Sequence, residues 1–158
     1  PGPVNVNDTI NELILLLDYY VKAKNVTLEF VSLEDELTIQ VAANELKQIL
    51  LNLIKNSIEA FDGGGRIRIR TEGSVVQGLP VVRIEVSDNG PGIATDRAND
   101  VFLPFNSAKK GRSTNLGLGL SVSYNIVQKY NGKITVDSEP GKGCTLTLLF
   151  PRLSDATE

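Results

Sequence analysis

The sequence predicts a two-layer α+β sandwich: a mixed, mostly antiparallel sheet covered on one face by helices. Two patterns carry the prediction. Short runs alternate apolar and polar residues, as strands with one wet face do. Longer runs gather their apolar residues on a single helical stripe. The length of 158 residues suits one domain, expected to span 1–158.

Residues 7–23 read as a helix, with Asp8 or Asn7 as its cap and Ile10, Leu13, Ile14, Leu17 and Val21 at helical spacing. Val26–Phe30 and Leu37–Val41 alternate as strands, joined by acidic Glu34-Asp35-Glu36. A long helix follows over 44–61, capped by Asn44 and stopped by Asp62-Gly63-Gly64-Gly65, with Leu46, Leu50, Leu53, Ile54, Ser57 and Phe61 on one face. Arg66–Arg70 is a period-2 strand with a charged face. Val82, Ile84 and Val86 mark the next strand, with Gly78-Leu79-Pro80 as the turn between them. Periodicity vanishes from Asn89 to about Leu116, and loops that long inside a compact domain are usually functional. A helix over about 117–130 carries Leu118, Val122, Ile126, Val127 and Tyr130. Ile134 and Val136, then Leu146, Leu148 and Phe150, form two last strands around Pro140-Gly141-Lys142-Gly143.

Composition narrows the chemistry. There is no histidine and one cysteine, Cys144, which removes imidazole bases, Ser-His-Asp and Cys-His triads and ordinary zinc sites. The single cysteine also excludes an internal disulfide and fits a reducing, cytoplasmic setting. Lys plus Arg is 16 and Asp plus Glu is 19, a net charge of −3 that argues against nucleic acid as the partner. The longest apolar run, Leu13–Leu17, is too short to span a bilayer, so no membrane contact is expected of this chain. Pro1-Gly2-Pro3 without methionine is compatible with a piece of a longer protein.

Three segments offer chemistry. Asn52 and Asn56 lie one turn apart at the edge of the long helix; they are either solvated amides or a pair whose oxygens converge on one hard cation such as Mg²⁺. Asp88-Asn89-Gly90-Pro91-Gly92-Ile93 follows a strand, and reads either as a plain turn or as a close approach to a ligand, with Asp88 accepting from an exocyclic amine. Asn115-Leu116-Gly117-Leu118-Gly119-Leu120 opens a helix, where bare N–H groups and the helix dipole suit a phosphate. Lys109, Lys110 and Arg112 just before it are either a solvated basic stretch or reach the same phosphates.

In this order the segments resemble the ATP-binding catalytic domain of sensor histidine kinases, which shares its Bergerat-type fold with DNA gyrase, Hsp90 and MutL. Asn44–Ala60 is similar to the N box, Asp88–Ile93 to the G1 box and Phe102-Leu103-Pro104-Phe105 to the F box. Gly117–Leu120 is similar to the G2 box and Gly141–Leu146 to the last glycine box. The resemblance runs from about Val4 to Pro151.

The resemblance implies roles. Asp88 would bind the adenine amino group, Asn56 would coordinate Mg²⁺, and Gly90, Gly92 and Ile93 would line the nucleotide pocket. Asn52 would stand where ATP-hydrolysing relatives carry a glutamate; an amide cannot act as general base, so ATP would be kept for transfer. Lys109 would contact phosphate, and Gly117, Leu118, Gly119 and Leu120 would hold the phosphates at the helix start. Residues of about 89–116 would be a lid over ATP, and Phe102 and Phe105 would pack that lid, or the neighbouring domain, in the active state. Asn52 and Lys109 would be the catalytic residues. The γ-phosphate would go to a histidine on a separate dimerisation domain, and from there to a response regulator. The sequence departs from the family pattern at Glu59, where a lysine is common, and at Asn115 and Leu116 in the G2 box. It also departs at Ala43, leaving Asn44 to cap, and at Cys144, where Thr or Ser is usual and Thr145 would supply the hydrogen bond. The alternatives are a nucleotide-dependent switch without catalysis, motivated by Asn115 and Leu116, an anti-sigma-type serine kinase, and an ATP-hydrolysing clamp, which Asn52 disfavours.

Overall fold

A computed structural model describes residues 1–90, 115–138 and 141–154, with only the backbone for 115–119. Gly92, Ile93, Phe102, Phe105 and Lys109 lie outside the described residues, as does most of the expected lid.

The elements run β1 (Gly2–Asn5), α1 (Val6–Ala23), β2 (Val26–Ser32), β3 (Thr38–Val41), α2 (Ala43–Ala60), β4 (Gly65–Val76), β5 (Leu79–Asp88), α3 (Asn115–Lys129), β6 (Lys133–Ser138) and β7 (Cys144–Pro151). Five strands form one sheet in the order β2-β4-β5-β7-β6, with β2 parallel to β4 and the other pairs antiparallel. β1 and β3 pair antiparallel in a small second sheet. This is the α+β architecture the alternation predicts.

Register explains why one face is dry. Phe30, Ile69, Val86, Leu146 and Val136 stand on one rung across the sheet, and Ile84, Leu148 and Ile134 on the next. Most of these side chains are buried with the stripes of the helices, whereas Arg68, Arg70, Arg83 and Glu85 stand on the other face. Each fully buried Leu or Ile contributes about 1.5–3 kcal/mol relative to exposure. Arg68–Glu29, Arg83–Glu85 and Arg70–Glu85 pairs lace the wet face, where exposed ion pairs add little.

Several local expectations are corrected. α1 is capped by Asn5, whose side chain accepts from the Asp8 N–H at 3.0 Å, not by Asn7 or Asp8. Asn7 is buried instead. Its Nδ2 donates to Ser32 Oγ and to the Glu34 carbonyl, both at 2.7 Å, and its Oδ1 accepts from buried Thr71 Oγ1 at 2.7 Å. One amide thus ties α1 to β2, β4 and the 33–36 connection. Asn44 does not cap α2; it is exposed in the first turn, and Ala42 holds the capping position without a side-chain bond. β4 and β5 are longer than the periodicity indicates, and meet in a two-residue turn, Gln77-Gly78, rather than at 78–80. Both turn residues have positive φ (53° and 81°), as a type I′ hairpin requires. β1 was not foreseen, because Pro1-Gly2-Pro3 has no strand pattern and its partner is distant in sequence. In α3, Val122 is 41% exposed, while Leu120, Ser123 and Val127 are buried.

α3 ends in a Schellman motif: Asn131, at φ 62°, donates to the Gln128 carbonyl, and Gly132 donates to that of Val127. The same end of α3 grips the start of α2. The Tyr130 hydroxyl donates to Glu45 and accepts from the Ala42 N–H at 3.3 Å, and Lys129 bridges Glu45 at 3.1 Å. The hydroxyl therefore serves the helix start that has no side-chain cap. The hydrogen bond from Tyr130, then that from Lys129, holds the Glu45 carboxyl below its ordinary 4.5. The hydrogen bond that Lys129 donates to Glu45 raises its ammonium above its ordinary 10.5.

A depressed carboxyl stabilises the fold above its ordinary pKa and ceases to do so as pH falls through the depressed value. Tyr130→Phe should lower Tm at neutral pH by about 2–4 °C. The gap between wild type and variant should narrow as pH drops below about 4.5. Thermal melts across a pH series check both; a gap that persists unchanged at pH 3 contradicts the assignment.

Candidate functional site

The site grows from the last rung of the sheet. Ile67, Asp88, Cys144 and Ser138 stand in line there. By strand alternation Asp88 shares the dry face with Val86 and Ile84, so its carboxylate points to the helical layer. There Ser57 of α2 donates its hydroxyl to Asp88 Oδ2 at 2.6 Å, and the Gly90 N–H donates to Oδ1 at 2.9 Å. Asn89 binds the start of β4 in both directions: Arg66 N–H donates to Asn89 Oδ1 at 2.7 Å and Asn89 N–H to the Arg66 carbonyl at 3.2 Å. The backbone of the turn is thereby fixed. Among the described residues two of the roughly four acceptor sites of the carboxylate are used.

Cys144 is the cross-strand neighbour of Asp88. Burial, then the nearby Asp88 carboxylate, pushes its thiol up to about 12, so it stays protonated. Thr145 does not do what the sequence led one to expect. Its hydroxyl pairs with Ser87 at 3.0 Å, and Ser87 stands on the sheet face opposite to Asp88. The residue that faces the carboxylate is Cys144. Strand alternation from Asp88 across β7 is the signal that separates the two.

Before Cys144, Gly143 is held at φ 90°, and a Cβ there would overlap the Asp88 carbonyl oxygen and come within 3.2 Å of Asn89 Cα. No side chain fits without moving the turn. Phe61, just past α2, closes the turn from behind: a Cβ at Gly90 would lie 3.2 Å from its ring.

The two amides of α2 differ. Asn52 is half-buried. Asn56 is 9% exposed, and its Nδ2 is buried with no hydrogen-bond partner. An orphaned amide end in a protein interior costs about 1–3 kcal/mol. A half-turn of χ2 exchanges its nitrogen for oxygen. Either way the side chain is suited to a group from outside: nitrogen to a phosphate oxygen, oxygen to a hard cation or its water. Asn56 thus fits a Mg²⁺ site.

α2 and α3 lie side by side, with the start of one clamped to the end of the other at Glu45 and Lys129. Moving along α2 from Glu45 to Asn56 covers about 16 Å. An equal distance back along α3 reaches the level of Gly117 and Leu118. The N-terminal turn of α3, where the helix dipole favours an anion, therefore lies level with Asn56 along the two helices. Leu120 is buried in the core at 1% exposure, so it anchors this turn by packing. The Ser57–Asp88 bond thus brings the end of β5 to the part of α2 that carries Asn56, and the start of α3 is level with it along the helices. Sequence reasoning missed Ser57 as a polar contributor, having placed it only on the apolar stripe.

Comparison with known proteins agrees with this geometry. The family model described as histidine kinase-, DNA gyrase B- and HSP90-like ATPase matches residues 41–154. The chain belongs to that family. It is 35% identical over 148 residues to the sensor histidine kinase ZraS of Escherichia coli (strain K12), a match covering 94% of this chain and 30% of ZraS. It is also similar to the solved catalytic domain of histidine kinase ThkA, at a TM-score of 0.81 and 28% identity, covering 96% of this chain and 95% of that one. ThkA has further been solved in complex with the response regulator protein TrrA, where the TM-score is 0.77 at 27% identity and the match covers 96% of this chain and 42% of ThkA. The chain therefore spans about a third of the length of the curated relative it matches. Among the described residues, no helix is long and apolar enough to cross a membrane.

Gly143→Ala should destabilise the fold by about 2–4 kcal/mol through overlap and positive-φ strain. It should also weaken nucleotide binding, because relief of the overlap displaces Asp88. Urea melts and titration calorimetry measure the two effects, and undiminished nucleotide affinity would show that the turn tolerates the shift.

Proposed function

We propose that this domain binds Mg-ATP and presents the γ-phosphate to a histidine on a separate dimerisation domain, from which the phosphoryl group passes to a response regulator. The observation that supports the reading is the carboxylate of Asp88, held by Ser57 and Gly90, with Asn56 next to Ser57 in the chain and its buried Nδ2 without a partner. The likeness to ZraS and ThkA supports the sensor-kinase assignment, and the ThkA–TrrA complex supports the response regulator as downstream partner.

Asp88 accepts from the adenine amino group, and Gly90 with Gly92 and Ile93 lines the base pocket. Asn56 would hold Mg²⁺ through its amide oxygen; the ion, when bound, neutralises phosphate charge. The N–H groups of Gly117–Leu120 hold phosphate oxygens at the helix start. Lys109 adds a cation at the transferring phosphate, and 89–116 closes over the nucleotide as a lid. In the transfer, the bond from the γ-phosphorus to the β-γ bridging oxygen breaks and a nitrogen–phosphorus bond forms. The acceptor imidazole gives up its N–H proton. Asn52 cannot take a proton from water, so hydrolysis stays slow and transfer prevails. Catalysis then comes from positioning and electrostatics.

The chain is mixed with γ-labelled ATP, Mg²⁺ and the dimerisation domain of the same full-length protein. Acid-labile, base-stable label on that domain is expected. ATP binding without any transfer overturns the kinase reading in favour of a switch, and acid-stable label on a serine points to the anti-sigma type.

Asp88→Ala should weaken Mg-ATP binding by about 10–100-fold, and Asn56→Ala should abolish the dependence of affinity on Mg²⁺. Calorimetry with and without EDTA decides both. Unchanged behaviour in either variant refutes the role given to that residue.

A further inference from the structure

Ser57 is the residue most exposed to a second interpretation. Its position on the inner stripe of α2 and its 5% exposure would suit a small core residue. A buried hydroxyl needs a partner, and the partner it has is the carboxylate of Asp88 at 2.6 Å. That distance is in the range of hydroxyl-to-carboxylate bonds, roughly twice as strong as neutral ones. Among the described residues it is the only side-chain donor to Asp88. The backbone of the turn is already fixed through Asn89 and Arg66, and Gly90 holds Oδ1. Held at Oδ1 alone, the carboxylate could still swing about that one contact, and the Ser57 hydroxyl bound to Oδ2 stops it.

We infer that Ser57 is a positioning residue for base recognition: it locks the Asp88 carboxylate in the rotamer that accepts an exocyclic amine. The inference rests on the reading of Asp88 as the adenine-binding group. Ser57 is the residue directly after Asn56. A single step of α2 therefore serves both ends of the nucleotide, with Asn56 directed to the phosphates and Ser57 to the base through Asp88. A displacement of α2 disturbs both together.

The consequence is selective. A loosened carboxylate harms only ligands that donate to it, so loss of the hydroxyl should penalise amine-bearing purines and spare the analogue without the amine. A residue that merely filled space would affect both alike. The probes are ATP and purine riboside triphosphate, which lacks the 6-amino group, titrated with Mg²⁺ into the wild-type chain and into Ser57→Ala, Ser57→Thr and Asp88→Ala. Ser57→Ala is expected to weaken ATP about tenfold, and to change the analogue by less than about twofold. Ser57→Thr keeps the hydroxyl and should restore most of the ATP affinity. It also covers the case in which the alanine variant fails to fold, since melts report folding for each variant.

Equal loss for the two nucleotides in Ser57→Ala overturns the positioning role. So does an undiminished ATP affinity in Ser57→Ala while Asp88→Ala loses ATP, an outcome that leaves the adenine reading standing. If Asp88→Ala itself binds ATP as wild type does, the adenine reading fails and the inference falls with it.

Discussion

The bond from Ser57 to Asp88 joins the two layers of this fold at the place where they would otherwise part. Above the rungs of Ile, Val and Leu, apolar packing holds helix to sheet. At the last rung a carboxylate replaces the apolar side chain, and a charge facing a helical layer is tolerated only when it is hydrogen-bonded. The Ser57 hydroxyl and the Gly90 N–H meet that requirement while, among the described residues, leaving acceptor capacity unused. The glycine at 143 and the ring of Phe61 then become constraints on the same turn, since both lie against it. A carboxylate that must be held, yet not saturated, dictates the residues around it.

The opposite end of α2 shows the complementary solution. There the helix start lacks a side-chain cap, and the end of α3 supplies the missing groups: the Tyr130 hydroxyl accepts from the Ala42 N–H, and Tyr130 and Lys129 both bind Glu45 of α2. The Lys129–Glu45 pair is exposed to solvent and the Tyr130 bonds are partly buried. Their effect is alignment: they set how far α3 slides along α2, and so where the start of α3 falls relative to Asn56. A third tie, through Asn7 to Ser32, Glu34 and Thr71, fixes α1 to the far part of the sheet. All three devices are polar, because direction matters at these points and dispersion forces supply none.

The division of labour between the amides of α2 follows from the same geometry. Asn56 lies deep enough for its Nδ2 to be buried without a hydrogen-bond partner. Asn52, a turn earlier, is half-buried. An amide at each place gives hydrogen-bonding power without basicity, which under the proposed function suits orienting phosphate rather than deprotonating water.

Alternation in β4, β5 and β7, and the apolar stripe of α2, stated the fold class from the sequence, because a period of two or of 3.6 is imposed by backbone geometry regardless of partners. The spacing of Asn52, Asn56, Asp88 and the glycines likewise belongs to the chain, and with it the chemical character of the site. Capping was less legible. Asn5, Asn7 and Asn44 are chemically equivalent, and only packing selects which one caps, which is buried and which is exposed. In α3 Ile126 and Val127 are buried as the stripe indicates, but Val122 is exposed, because the inward contacts include Ser121 and Ser123, small residues that allow close approach without registering as apolar. Thr145 was misassigned for a different reason: which of two adjacent residues faces a distant carboxylate depends on the register of β7 against β5. The sequence by itself determined which elements form and which residue types the site contains. Only the tertiary structure decided that Ser57 and Cys144, rather than Thr145, share a face with Asp88, because register and helix alignment are set between segments far apart in the chain.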